Sequence, residues 1–158
     1  MREKFGDSMI EADFSALENL LGELGKKHYV DVGILGENGG KTEQGGVTLA
    51  FIGSVHEYGS LDGHNPRRSF IFMPLTTGQQ EIAGAVEPSM AKHLATGDVV
   101  GIFQDIGIAA EARIQDAFDT GGFGQWPVLK EDTIRRKGSA SILIDRGDLR
   151  RAITSAAK

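Results

Sequence analysis

Few residues in this chain are equipped for chemistry. It has four histidines, His28, His56, His64 and His93, and no cysteine, so thiolate metal sites, thiol catalysis and disulfides are excluded. In "VHEYG" a glutamate follows His56, but a zinc helix of the H-E-x-x-H kind needs a second imidazole four residues on, and Ser60 stands there. No other pair of histidines has metal-ligand spacing, and His56 reads as a helix-end or interface residue. The glycine clusters "GENGG" (36–40) and "TGGFGQ" (120–125) lack the Gly-x-x-x-x-Gly-Lys-Ser/Thr grammar of a phosphate cradle. Gly121 and Gly122 come after an apolar helical pattern, which is the setting of a stop signal. No Ser-His-Asp or paired-carboxylate arrangement is readable from spacing. The reading is of a chain that is not an enzyme and needs no cofactor.

The densest segment is "WPVLKEDTIRRKGSASILIDRGDLRRAIT" (126–154), which holds the single tryptophan, Trp126, and the triplet Arg135, Arg136 and Lys137. Glu131 and Asp132 just upstream offset that charge, and only Phe123 and Trp126 are near enough to stack on bases. "RGD" at 146–148 matches an integrin-binding tripeptide, yet reads more simply as a tight turn with Gly147 left-handed and Asp148 capping the residues after it. Residues 130–151 nevertheless keep one alternative open, a nucleic-acid-binding accessory protein. The overall charge of −5 argues against it, because neutralising phosphates drives such binding. Charge is unevenly spread: residues 1–100 carry 8 basic and 14 acidic groups, residues 101–158 carry 9 and 8. That split suits a protein showing unlike surfaces to different neighbours.

The elements that must position these residues are set by periodicity. Leu17, Leu20, Leu21 and Leu24 make one apolar stripe, predicting a helix over 14–27. "YVDVGIL" alternates, predicting a strand over 29–35. Residues 36–46 and 59–68 read as extended Gly-rich loops and residues 1–13 as an N-terminal arm. A helix is preferred over a strand for 47–58, and "SFIFM" (69–73) reads as a short strand or extended arm. Residues 76–95 read as helical, broken or kinked at Pro88. Asp98 caps the strongest pattern, 99–118, with Val99, Ile102, Phe103, Ile106, Ala110, Ile114 and Ala117 on one face. "EDTIRRKG" reads as one or two helical turns stopped by Gly138, "SILI" as a very short strand, and the C-terminus as a final helix or an edge strand. Together these predict one α+β domain over 1–158, with a small antiparallel sheet packed by helices. No apolar run approaches the roughly 18–20 residues of a membrane span, and the charged start lacks the apolar region of a signal peptide. Synthesis in a cytoplasm and no membrane partner are expected.

Two segments taken together resemble a known family. "VHEYGS" followed by "NPRRSFIFMPL" resembles the "HEFG…PaRpFl" signature of tail-component proteins of long-tailed bacteriophages: His56, Glu57, Tyr58 and Gly59 fit it, as do Pro66, Arg68 and Phe70. The 126–154 segment resembles the "W.pL.psTi.rKGs..pLidTG.L" pattern of phage virion-morphogenesis and tail-completion proteins, through Trp126, Leu129, Thr133, Ile134, Lys137, Gly138, Leu143, Ile144, Asp145, Gly147, Leu149 and Ile153. Arg67, Ser69 and Arg146 depart from the usual small residue, proline and threonine. The likeness covers about residues 29–154. It implies a tail-terminator-like ring subunit of the virion neck, six-fold or twelve-fold, made in the host cytoplasm. The implied partners are the head connector or adaptor and the tail terminator or tail tube, with the genome passing through the lumen and no sequence being read. The candidate interface residues are then His56, Glu57, Tyr58, Pro66, Arg68, Phe70, Trp126, Arg135, Arg136, Lys137, Asp145 and Arg150. Trp126, Leu129 and Ile134 would anchor the segment to a core or neighbour, and Arg135, Arg136 and Lys137 would reach acids of the adjacent subunit. An intramolecular loop clamp is the competing use of the same residues.

Overall fold

The computed structural model describes residues 15–42, 46–144 and 146–158. The elements run α1 (Ser15–Leu24), β1 (Val30–Ile34), α2 (Glu37–Gly40), α3 (Leu49–Tyr58), α4 (Phe72–Thr77), α5 (Gln79–Thr96), α6 (Val99–Thr120), α7 (Glu131–Lys137), α8 (Asp148–Arg151) and β2 (Ile153–Ala157). The α+β expectation holds in a mostly helical form. The sheet has two antiparallel strands, with Val30 opposite Ala157 and Ile34 opposite Ile153. The ladder continues one pair further, where Tyr29 and Lys158 exchange backbone hydrogen bonds. Segments that are distant in sequence are thereby zipped together.

Helix α6 is the axis of the structure. Asp98 caps it as expected, its carboxylate accepting from the Gly101 N–H at 2.9 Å. Val99, Ile102, Ala110, Ile114 and Ala117 of the expected stripe are buried, and α6 packs on both α5 and the sheet. A second tie joins α5 to α6: His93 Nδ1 lies 2.9 Å from an Asp98 oxygen and Nε2 lies 3.1 Å from an Asp105 oxygen. Ser89 Oγ donates to that same Asp105 oxygen. The main core is Phe70, Ile114, Ala117, Phe118, Trp126, Leu149 and Ile153, contributed by four separate stretches of the chain.

Several expectations are corrected. "SFIFM" forms no strand: residues 69–71 are irregular and Phe72 opens α4. The helix predicted over 76–95 runs unbroken from Gln79 to Thr96 through Pro88. "SILI" turns instead of pairing, and its Ile142, Leu143 and Ile144 pack against the core as side chains of a turn. The 36–46 loop contains the short helix α2, and its tip at 43–45, like the N-terminal arm 1–13, lies outside the described residues. The C-terminus takes both of its alternatives in succession, α8 and then β2. Helix α1 forms, but its stripe finds no core: Leu17, Leu21 and Leu24 are each about half exposed.

Two glycines show how tightly α6 meets the sheet. A Cβ on Gly107 of α6 would fall 2.9 Å from Ser155 Cβ on β2 and 3.3 Å from Val30 Cγ1 on β1. A Cβ on Gly84 of α5 would meet nothing within 4 Å. Alanine improves helix propensity at both sites, but only Gly84 has room for it. Gly84→Ala is expected to raise unfolding free energy by about 0.5–1 kcal/mol. Gly107→Ala is expected to lower it by about 1–3 kcal/mol through overpacking. Urea denaturation of both variants checks the opposite signs.

Candidate functional site

The two segments singled out in the sequence meet in space. Helix α3 begins with Thr48 accepting from the Phe51 N–H and ends at Gly59, whose φ of 85° turns the chain sharply. Close to that end, Glu57 points inward and is 6% exposed. Its carboxylate accepts the N–H groups of Phe70 (2.9 Å), Ile71 (2.9 Å) and Phe72 (3.2 Å), together with the Ser69 hydroxyl. Ser69 Oγ in turn accepts from the Met73 N–H at 2.9 Å. These donors are the otherwise unpaired N–H groups entering α4, so Glu57 caps that helix from a different one. A carboxylate removed from water is tolerable only with such a full set of donors.

The 126–128 segment closes over the same place. Trp126 is buried, its indole N–H donating to the Ser69 carbonyl at 3.1 Å, and its ring stands edge-on to Phe118 at 5.8 Å. Phe118 also meets Phe70 at 5.5 Å. Room for the tryptophan comes from Gly122, at φ 68°, where a Cβ would strike the indole. Arg68 is 5% exposed and donates from Nε to the Pro127 carbonyl (2.9 Å) and from Nη2 to that of Val128 (3.4 Å). The Arg68 N–H donates to the His56 carbonyl at 2.8 Å. Burial lowers the Arg68 pKa from its usual value, with the group still charged.

Of the twelve candidate interface residues, Glu57, Arg68, Phe70 and Trp126 thus bond or pack within the chain. His56 is half-buried and Pro66 flanks it on the wall of a cavity. Tyr58 is 76% exposed. Arg135 is exposed and paired with Asp132 at 2.9 Å. Arg136 is exposed, while Lys137 donates to the Ser141 carbonyl. Arg150 forms a two-pronged pair with Asp119 at 2.6 and 2.8 Å and donates to Gln115 at 2.6 Å, fixing α8 to α6. Asp145 lies outside the described residues. Sequence reasoning passed over Pro127 and Val128 and named Ser69 only as a departure from the resembled pattern; they act through backbone carbonyls and a hydroxyl. Their only signal was adjacency to residues already chosen.

The cavity, about 580 Å³, lies between α3, the 59–68 loop, α7 and the start of α8. His56 lines it, and its Nδ1 is buried with no hydrogen-bond partner. Burial first, then the nearby charges of Arg68 and Lys137, push the His56 pKa down to about 4. Among the described residues no group of His, Asp and Glu side chains is placed to hold a metal ion. The Ser89, His93, Asp98 and Asp105 cluster has the membership of a hydrolytic triad but not its wiring: Ser89 Oγ donates to a carboxylate, not to the imidazole that would have to take its proton. No described helix is long and apolar enough to cross a membrane. This chain matches no protein-family model, no curated protein and no solved structure.

This geometry sets two expected outcomes. Glu57→Gln keeps the shape but turns an amide N–H₂ toward backbone donors, so stability should fall by about 3 kcal/mol. Tyr58→Ala, one residue on and exposed, should change it by less than about 0.5 kcal/mol. Chemical denaturation of both proteins checks this. For His56, the unfolded imidazole titrates near 6.5 and the folded one near 4. Between those values the unfolded chain binds the extra proton. Stability is therefore full above pH 6.5 and falls as pH drops toward 4, by up to about 3 kcal/mol. In denaturant melts across that range, His56→Gln should lose less stability than wild type.

Proposed function

We propose that the chain is a structural component of a bacteriophage virion neck, acting in head-tail connection or tail completion. It would be a tail-terminator-like subunit of a ring between the head connector and the tail tube, six-fold or, in the alternative, twelve-fold. The observation that carries the reading is the meeting of the two phage-like segments in one clamp. Glu57, Arg68 and Phe70 of the first are tied through Ser69 and Pro127 to Trp126 of the second. Residues that belong to one physical unit explain why the two patterns occur together and in that order. A ring subunit also needs two unlike faces for heterologous contact, and half-exposed leucines on α1 together with exposed Phe51 and Tyr58 on α3 offer separate apolar faces.

The second reading, a nucleic-acid-binding accessory protein using residues 130–151, is favoured by the cations around the cavity. Against it stand the net charge of −5 and a single tryptophan that is buried. Inactivating the coding sequence in the genome that carries it separates the readings. The neck reading expects filled heads and finished tails accumulating unjoined, or tails of uncontrolled length, in electron micrographs, with added purified protein restoring infectivity. Normal joined particles from the inactivated genome would refute it.

A further inference from the structure

The cavity beside His56 carries an imbalance that the clamp does not use. Among the residues that line it are Arg68, Arg136, Arg146, Lys130 and Lys137, the last donating to the Ser141 carbonyl. The single carboxylate lining it among the described residues is Asp148, already paired with Arg151. Arg68 is the most telling of the five. It is buried, its partners are neutral carbonyls, and no carboxylate lies within ion-pair distance of it among the described residues. A buried charge without a counter-charge raises the local potential and costs free energy that an incoming anion would offset. Lys130, Arg136 and Arg146 at the rim likewise face no described carboxylate within that range. His56 on the same wall has its pKa pushed down to about 4, by burial first and then by the charges of Arg68 and Lys137. Its unsatisfied Nδ1 leaves one further polar contact open to a ligand.

We infer that this cavity is a docking site for an acidic peptide segment of a partner protein, one in which carboxylates alternate with apolar side chains. Charge complementarity selects the carboxylates. The rest of the wall selects the apolar residues, because Ile52, Leu129, Leu143 and Leu149 are interleaved with the cations. Val128, 83% exposed, extends that apolar lining at the rim. Nucleic acid fits less well: among the described residues no aromatic ring other than imidazole lines the cavity to stack a base. The concave shape also suits a chain segment and not a duplex backbone. The site goes beyond the neck reading and stands on the cavity alone, so it survives failure of that reading.

The probe is a short fluorescently labelled peptide of alternating Asp, Glu and Leu, titrated with the full chain and followed by anisotropy, with a labelled oligothymidylate of similar length in parallel. Saturable binding of the peptide, tighter than that of the oligothymidylate, is expected. The R136Q/R146Q variant should bind it about tenfold more weakly or worse. R135Q, whose arginine neighbours Arg136 but does not line the cavity, should bind like wild type. Both substituted positions of the double variant are exposed, and an unchanged thermal midpoint would confirm that it is folded. In NMR titrations the bound peptide should raise the His56 pKa from about 4. Tighter binding of oligothymidylate would overturn the proposal in favour of nucleic acid. Equal weakening by R135Q would reduce it to diffuse charge, and absence of peptide binding would end it. Sedimentation of the protein alone covers the remaining occupant: self-association lost in R136Q/R146Q would assign the cavity to a second copy of the chain and refute a separate partner.

Discussion

A carboxylate at position 57, shut away from water, sets the terms for much of this structure. Isolated in a protein interior, such a charge costs several kcal/mol; here the hydroxyl of Ser69 and three successive backbone N–H groups take the place of water. All four donors must be held where Glu57 can reach them, which fixes the irregular 69–71 segment and the first turn of α4 against the end of α3. Phe70 is thereby driven fully into the core, onto Phe118 of α6. Phe118 meets Trp126, whose indole N–H returns to the Ser69 carbonyl. The circuit closes on itself: a polar nest and an aromatic cluster each hold the other's geometry.

The same circuit creates the basic cavity. Holding Ser69 and Phe70 inward leaves Arg68 beside Pro127 and Val128, bonded to their carbonyls. The guanidinium makes two hydrogen bonds there without meeting a counter-charge among the described residues. Helix α7 comes next, with acids in its first turn and bases in its last, as the helix dipole favours. That order places Arg136 and Lys137 on the cavity wall with Arg68 and His56. A stable fold and a positive recess therefore arise from one local arrangement.

Elsewhere the molecule leaves apolar surface uncovered. Leu17, Leu21 and Leu24 on α1 are spaced for one face, and so are Phe51 and Tyr58 on α3. Single exposed apolar residues are common on soluble proteins, whereas stripes on helices mark contact surfaces. Helix α1 buries no residue of its own. An isolated helix of its length is marginal in water, so contacts beyond the helix must supply much of its stability.

Local rules read much of this chain correctly. The α6 stripe, the Asp98 cap, the stop at Gly121, helix α3 and strand β1 all arise from interactions within a few residues, where periodicity and capping are strong. The same rules failed at 69–73 and 141–144, where apolar β-formers joined no strand, and at Pro88, where the expected break does not occur. His56 and Trp126 stood out from their composition and setting, and Glu57, Arg68 and Phe70 through the resemblance alone, with no direction for any of the side chains. By itself, then, the sequence determined the long helices α3, α5 and α6, which residues were unusual, and that a small sheet would form, but not α2 or α4. Only the tertiary structure decided that Glu57 and Trp126 turn inward on the same serine and that Arg68 is buried with no carboxylate in ion-pair range among the described residues. The physical reason is distance along the chain: Trp126 lies 57 residues from Ser69, and no local propensity carries information across such a gap.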